Sequence, residues 1–586
     1  MESTPAGRQG GWEAWRHVGW KAHGLEGRKA GKLGGRKAGK LGGRKAGKLG
    51  GWYAGRHVGW KAPRLEGSEA GMLEGRETAM LSGLDAILLS LPASQLPSLQ
   101  ASGRPSFRAS QPPSFPASKP LGVRASGPPS LPASRPPSFP ASRLYGHYRG
   151  IHRMSMSESD KQGFFADQST LAMDDYLIFE YYFETTVDPQ EAAAHLCQEQ
   201  STAQWKRVDV DEDLRDRFGA KVIKLKVERE LESPSYCLPQ DAGESAHACH
   251  VRIAHPHGNF GPKLPNILTA AGGEGAFYSP GIPVIKLLDI EFPASFLQAF
   301  QGPKFGIRGL RDILGVYDRP LFFGVIKPNI GLSPEPFAEL AYQSWLGGVD
   351  IAKDDEMLCD VTWSPLSERA RLLGAARRKS ERETGESKIY LANITDEVDR
   401  LIELHDIAVE AGANAVMVNG MTTGLSAVRM LRKHTRVPLV GHFDFIAPFT
   451  QIPFYGVHSK LITKLQRLVG FDVIIMPGFG ERMKTPDDEV LENVQECFKP
   501  LGHIKDTLPV PAGSQWAGST AKLYERLKTI DFAIVPGRGV FGHPMGPRGG
   551  GASLRQGWEA VRKGVALEEY AMKHAELKAA IEAFGG

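Results

Sequence analysis

Cysteine is scarce in this chain of 586 residues. Its five cysteines (Cys197, Cys237, Cys249, Cys359 and Cys497) are odd in number, and no two stand in C-x-x-C spacing. That excludes a disulfide framework and a cysteine-ligated zinc site as organising features, and a reducing cytoplasm is the expected compartment. Long hydrophobic runs are also lacking: the best candidate, LSGLDAILLSLPA, is interrupted by Asp85. No membrane segment is expected. A Gly-rich dinucleotide turn is missing as well, which weighs against an open doubly wound sheet.

Basic charge is absent where a nucleic-acid surface would need it. The formal charge of +5 averages two unlike parts: residues 1–153 carry 24 Lys+Arg against 8 Asp+Glu, and the remainder 47 against 58. Net charge is therefore +16 on the leader and −11 on the rest, so the main body has no basic footprint for nucleic acid.

The leader, residues 1–153, repeats GRKAGKLG three times from Gly27 to Gly50 and then turns to PSLPASRPPSFPASR-like sequence. Units this short and polar bury too little apolar surface to offset ordering entropy, so the leader is expected to be disordered. Its repetition reads as translated tandem-repeat DNA upstream of a start at Met154 or Met156; a basic tail and an organelle transit segment are the competing readings.

Residues 171–295 read as a small α+β, ferredoxin-like domain. YLIFEYYFET, AKVIKLKVERE, HACHVRIAHP and IPVIKLLDIEF have strand composition, with helices at PQEAAAHLCQEQS and PNILTAAGG. From Pro320 short apolar runs recur: LFFGVIKP, VDIAKDD, IYLANIT, AVMVNG, PLVGHF, DVIIMPG, LPVPAG and FAIVPG. Eight such runs, separated by amphipathic helices, predict an α/β fold with a (β/α)8 TIM-type barrel over 310–550 and a helical extension over 551–586. In TPDDEVLENVQECF, Thr485 is expected to cap a helix with Pro486 at its first position.

Active sites of such barrels lie at the C-terminal strand ends. There the chain places Lys327, the run Lys353-Asp354-Asp355-Glu356, Asn393, Asn419 and His442. Adjacent carboxylates repel unless a cation neutralises them, so Asp355 and Glu356 suggest a hard divalent ion such as Mg2+. Lys353 is then either a salt-bridge partner of these acids or, if its amine is carbamylated by CO2, a third oxygen ligand. Lys327 is either a rim lysine or a proton carrier.

GVIKPNIGLS, GGVDIAKDDE, HSKLITKLQRL and GRGVFGHPMG, in this order, resemble the large-chain superfamily of ribulose bisphosphate carboxylase, RuBisCO, over residues 171–586. The resemblance implies Mg2+ held by carbamylated Lys353, Asp355 and Glu356, with CO2 as activator, and proton transfer by Lys327. It also implies a homodimer, because the positions matching Glu199 and Asn266 reach the site of a partner subunit. Trp205, Gly537 and Gly539 match one phosphate cradle.

Departures from the carboxylases are equally informative. Asn329 stands in place of a second lysine, Phe443 of an arginine after His442, and Ile475 of a histidine. Arg482 is nearest the place of the mobile-loop lysine, Ala512 and Ser514 flank Gly513, and Arg538 replaces a glycine. Phe443, Ile475 and Ala512 cannot bind a dianion, so a bisphosphate substrate is not expected. The chain is accordingly similar to the type IV, non-carboxylating RuBisCO-like branch, in the group found in phototrophic bacteria. The expected activity is a Mg2+-dependent enolase or isomerase acting on a small phosphorylated keto sugar, in the manner of members that serve sulfur metabolism. Lys327, Lys353 and His442 would act on the substrate, with Glu199 and Asn266 supplied by the partner. Arg482, Gly513, Gly537, Arg538, Gly539 and Trp205 would hold it. A non-catalytic regulator or scaffold and a true carboxylase are the alternatives.

Overall fold

The computed structural model of the protein describes residues 156–203, 214–237 and 243–585. The leader and Trp205 lie outside the described residues. Four long strands form where aromatic and β-branched residues cluster: β1 (Tyr176–Thr185), β2 (Lys221–Leu231), β3 (Ala246–Pro256) and β4 (Val284–Glu291). They pair antiparallel in the order β4-β1-β3-β2. The helix Pro189–Glu199 links β1 to β2, and Leu264–Gly272 lies between β3 and β4. This is the ferredoxin-like arrangement. Asp188 caps the first helix by accepting the N–H groups of Gln190 and Glu191, and Pro189 opens it.

Eight strands then fall on the eight apolar runs: β5 (Leu321–Val325), β6 (Ile351–Lys353), β7 (Ile389–Asn393), β8 (Ala415–Asn419), β9 (Leu439–His442), β11 (Val473–Pro477), β12 (Leu508–Ala512) and β13 (Ala533–Ile534). Between β9 and β11, the two-residue β10 (Gly456–Val457) leaves the barrel and pairs in parallel with β4. Lys286 of β4 reinforces that join by donating to the Thr450 and Ile452 carbonyls. The loop that follows His442 is thus tied to the first sheet. Both sheets belong to one compact unit.

Why the barrel strands are apolar throughout follows from their two faces. Leu321, Phe323, Ile351, Ile389, Leu391, Met417, Val440, Val473, Ile475 and Val510 pack together inside the barrel, with Leu310 and Leu314 of the helix Gly306–Leu314. Alternate residues such as Phe322, Ala352, Tyr390, Val416, Leu439 and Ile474 pack in the other core, toward the helices. The crossover helices include Pro334–Gly347, Leu366–Thr384, Leu401–Ala411, Leu425–His434, Ser459–Val469, Asp487–Glu496, Ala517–Leu527 and Gly546–Lys563, and Ala575–Phe584 follows.

Closure is nearly complete, and proline explains the seam. β13 pairs with β5, but no ladder joins β12 to β13. The Leu508 N–H points to β11, where it meets the Asp472 carbonyl, so the alternate positions Pro509 and Pro511 face β13 and have no N–H to give. Gln515 bridges the gap instead: its side chain accepts the Val535 N–H at 2.7 Å and donates to the Pro511 carbonyl at 2.5 Å.

One local expectation is corrected. The helix near 487 begins at Asp487 with Pro486 as its N-cap in extended conformation (ψ 144°), and no side chain caps it. The Thr485 hydroxyl donates backward to the Met483 carbonyl instead. No described helix is long and apolar enough to cross a membrane.

Candidate active site

The polar rim follows from strand parity. Ile351, Leu391, Met417 and Val440 face the barrel interior, and two residues further along each strand stand Lys353, Asn393, Asn419 and His442. A period of two therefore points these four side chains up the same axis as the core.

The acidic run splits three ways. The buried Lys353 ammonium donates to Glu356 Oε2 at 2.8 Å and to the Asp354 carbonyl at 2.8 Å. Lys327, just beyond β5, donates to Asp355 Oδ2 at 2.6 Å. Asp354 turns outward, where its Oδ2 accepts from Arg369 Nε at 3.2 Å, the Tyr390 hydroxyl at 3.1 Å and the Asn393 N–H at 3.1 Å. It anchors the turn rather than facing the rim. Asn393 fixes the same turn from the barrel side by donating to the carbonyls of Asp355 (3.2 Å) and Glu356 (2.9 Å).

Charge is strongly perturbed here. Burial raises the Glu356 carboxyl, but the Lys353 ammonium and then His442 outweigh it and bring it down to about 2. Burial lowers the His442 imidazole to about 3, and the Lys353 charge adds to the effect. Asp444, half-buried with the Glu356 charge close by, is raised to about 6. His442 Nε2 lies 3.4 Å from Glu356 Oε2, and its ring stacks on Phe443 at 4.8 Å between centroids.

These groups open into a cavity of about 780 Å3. Of the expected site residues, Lys327, Lys353, Glu356, His442, Arg482, Gly513, Gly537, Arg538 and Gly539 line it. Asp355 is buried beneath it through its bond to Lys327. Glu199 and Asn266 sit on the first domain's two helices and are not among the residues that line the cavity. Phe443, Ile475 and Ala512 also line it. A Cβ at Gly537 would lie 2.8 Å from Lys327 Cε, so a larger residue there would displace the end of the Lys327 side chain.

Sequence reasoning missed Asp444, Trp516, Glu582 and Phe584. The last three line the cavity. Asp444, two residues past His442, was open to the same rim argument; Glu582 and Phe584 are brought in by the final helix, which no barrel motif marks.

The donor set fits a hard divalent cation. Asp355 and Glu356 are oxygen donors, each now matched by one lysine ammonium, and Lys353 would add a further oxygen if carbamylated. The ligand atoms of Glu356, His442 and Asp444 also lie within 4.8 Å of one another. That grouping shares only Glu356 with the expected set, and its imidazole suits a softer ion than Mg2+.

The ribulose bisphosphate carboxylase large chain, catalytic domain, matches residues 306–584, and the N-terminal domain of the same large chain matches residues 164–296. The chain belongs to the RuBisCO large-chain family. A ribulose bisphosphate carboxylase-like protein of Allochromatium vinosum is 62% identical over 432 residues, 73% of this chain and 94% of that protein. The 3-oxo-isoapionate-4-phosphate decarboxylase of Rhizobium etli is 32% identical over 409 residues, 69% of this chain and 97% of that protein. Among solved structures, the octameric RuBisCO of Pyrococcus horikoshii matches with a TM-score of 0.65 at 32% identity, over 72% of this chain and 96% of that one. Within the family, this chain falls in the RuBisCO-like branch.

Proposed function

We propose that the protein is a Mg2+-dependent enolase or isomerase that removes a proton beside the carbonyl of a small, singly phosphorylated keto sugar or related hydroxy-ketone. The observation that carries this reading is the pairing of Lys327 with Asp355 and of Lys353 with Glu356 at one cavity, which Phe443, Ile475 and Ala512 also line. Carbamylated Lys353, Asp355 and Glu356 would hold the ion, which when bound polarises the substrate carbonyl and stabilises an enediolate.

Lys327 is the proton carrier in this reading. Its amine is part of the cavity wall and one-third exposed, within reach of a bound substrate. It donates to Asp355 at 2.6 Å, and an ion held by Asp355 would compete for that carboxylate and leave the amine to turn to the substrate. His442, kept neutral by burial, can orient a substrate oxygen without adding charge. Arg538 and Arg482, both at the cavity, can take the single phosphate. Glu199 and Asn266 would enter from a second copy of the chain and exclude water over the site.

The family includes a relative named 3-oxo-isoapionate-4-phosphate decarboxylase, which supports catalysis over a scaffold. Phe443, Ile475 and Ala512 argue against a true carboxylase, since their side chains offer no donor to a second phosphate. The test is solvent deuterium exchange into candidate keto-sugar phosphates with Mg2+ and bicarbonate. Exchange that survives Lys327→Ala unchanged sinks the assigned role.

A further inference from the structure

Far from the cavity, two helices on the outside of the barrel bring together a second cluster of ligating atoms. His405 and Asp406 lie in the helix Leu401–Ala411, and His434 ends the helix Leu425–His434. His405 Nδ1 lies 2.9 Å and His434 Nε2 2.8 Å from the same oxygen, Asp406 Oδ1. The two rings cross at 80° with centroids 5.0 Å apart. Thr435 to Val437 lead directly into the start of β9, so the cluster sits toward the N-terminal face, the end opposite the candidate active site.

The surroundings of His405 allow its Nδ1 to serve as a ligand. The Thr435 hydroxyl has one proton, and it goes to the Val437 carbonyl at 2.8 Å. Its oxygen lies 3.1 Å from His405 Nε2 and can accept that nitrogen's proton in the tautomer that leaves Nδ1 free to ligate. In the other tautomer Nε2 accepts the Arg436 N–H at 3.4 Å and Nδ1 donates to Asp406 Oδ1. An ion bound to Nδ1 and to Asp406 Oδ1, now 2.9 Å apart, would select the first of these tautomers. An outer hydroxyl that holds the far nitrogen of a buried imidazole is also how proteins orient a ligating histidine.

We propose that His405, Asp406 and His434 form a second metal site, which takes a divalent ion of the zinc class. Two imidazoles and one carboxylate suit zinc rather than Mg2+, and the partly exposed Asp406 and His434 leave room for water as a fourth ligand. The C-terminal end of the His434 helix favours positive charge. Arg436 now lies 3.1 Å from Asp406 Oδ1, but it is half-exposed and also within 3.7 Å of Glu410, which can receive it. Small outward movement of Asp406 and His434 opens the ligand edges to the roughly 3.3 Å that zinc–ligand lengths of about 2.0–2.1 Å give in a tetrahedron. The ion would clamp two neighbouring crossover helices, and this site does not depend on the activity proposed above.

The experiment uses the full-length protein, stripped with a chelator and titrated with zinc chloride against a chromophoric competitor. One zinc equivalent is expected that disappears in His434→Ala and in Asp406→Asn and persists in His442→Ala. Thr435→Val, which keeps the shape but loses the outer hydrogen bond, is expected to weaken that equivalent at least about tenfold. Zinc should raise the melting temperature of the parent protein but not that of His434→Ala, whose exposed position at a helix end keeps the fold intact. No uptake of zinc, or uptake undiminished in both His434→Ala and Asp406→Asn, overturns the proposal.

Discussion

Lys327 and Asp355 come from the ends of neighbouring strands, and the ammonium of one lies 2.6 Å from the carboxylate of the other. In the proposed reaction, a cation taken up at Asp355 would displace this contact and leave the Lys327 amine to the substrate. Lys327→Ala should lower deuterium exchange into substrate by about 10²–10⁴-fold while Mg2+ uptake persists. Mass spectrometry of the recovered substrate, alongside metal analysis of the protein, checks both halves.

The pH dependence of stability carries the signature of His442. Its folded-state value is lowered from 6.5 to about 3, so below pH 6.5 the unfolded chain takes up a proton that the folded chain refuses. The contribution is fully present above pH 6.5 and is lost as pH falls toward 3, by up to about 1.4 kcal/mol per pH unit. Denaturant titrations of the parent and His442→Gln between pH 7 and 5 should show a shallower fall for the variant.

The barrel seam depends on one side chain. Gln515→Ala would leave the buried end of the β12–β13 seam without its bridge and the Val535 N–H unpaired, which costs about 1–3 kcal/mol. Chemical denaturation measures the loss, and Gln515→Glu, which keeps the acceptor for Val535, should recover part of it.

Asp354 predicts a different phenotype from its neighbours. Arg369 and Asp354 are both fully buried and paired, so Arg369→Ala should cost about 3–5 kcal/mol by leaving an uncompensated carboxylate. Asp355→Asn, by contrast, should weaken metal uptake. Paired measurements of unfolding free energy and Mg2+ content on the two variants separate anchor from rim.

Much of this was legible because barrel strands are short, apolar and bounded by glycine or proline. The eight runs from Leu321 to Ile534 needed no partner to be recognised, and the same parity that buries Ile351 and Val440 aims Lys353 and His442 at the rim. Side-chain direction within an irregular turn was not legible. Nothing in the run Lys353-Asp354-Asp355-Glu356 distinguishes the acid that turns outward to Arg369 from the two that face lysines, since the turn has no period. Nor could spacing reveal Phe584, which the last helix carries back to the cavity, or the failure of Thr485 to cap, decided by the extended backbone of Pro486.

The central claim is that the amine of Lys353, now 2.8 Å from Glu356, binds CO2 and joins Asp355 and Glu356 in holding Mg2+. The most direct measurement is a carbon-13 spectrum of the protein in labelled bicarbonate with Mg2+. One carbamate resonance is predicted, lost in Lys353→Ala and weakened when Mg2+ is removed. A parent protein without that resonance, or one that keeps it in Lys353→Ala, would contradict the account.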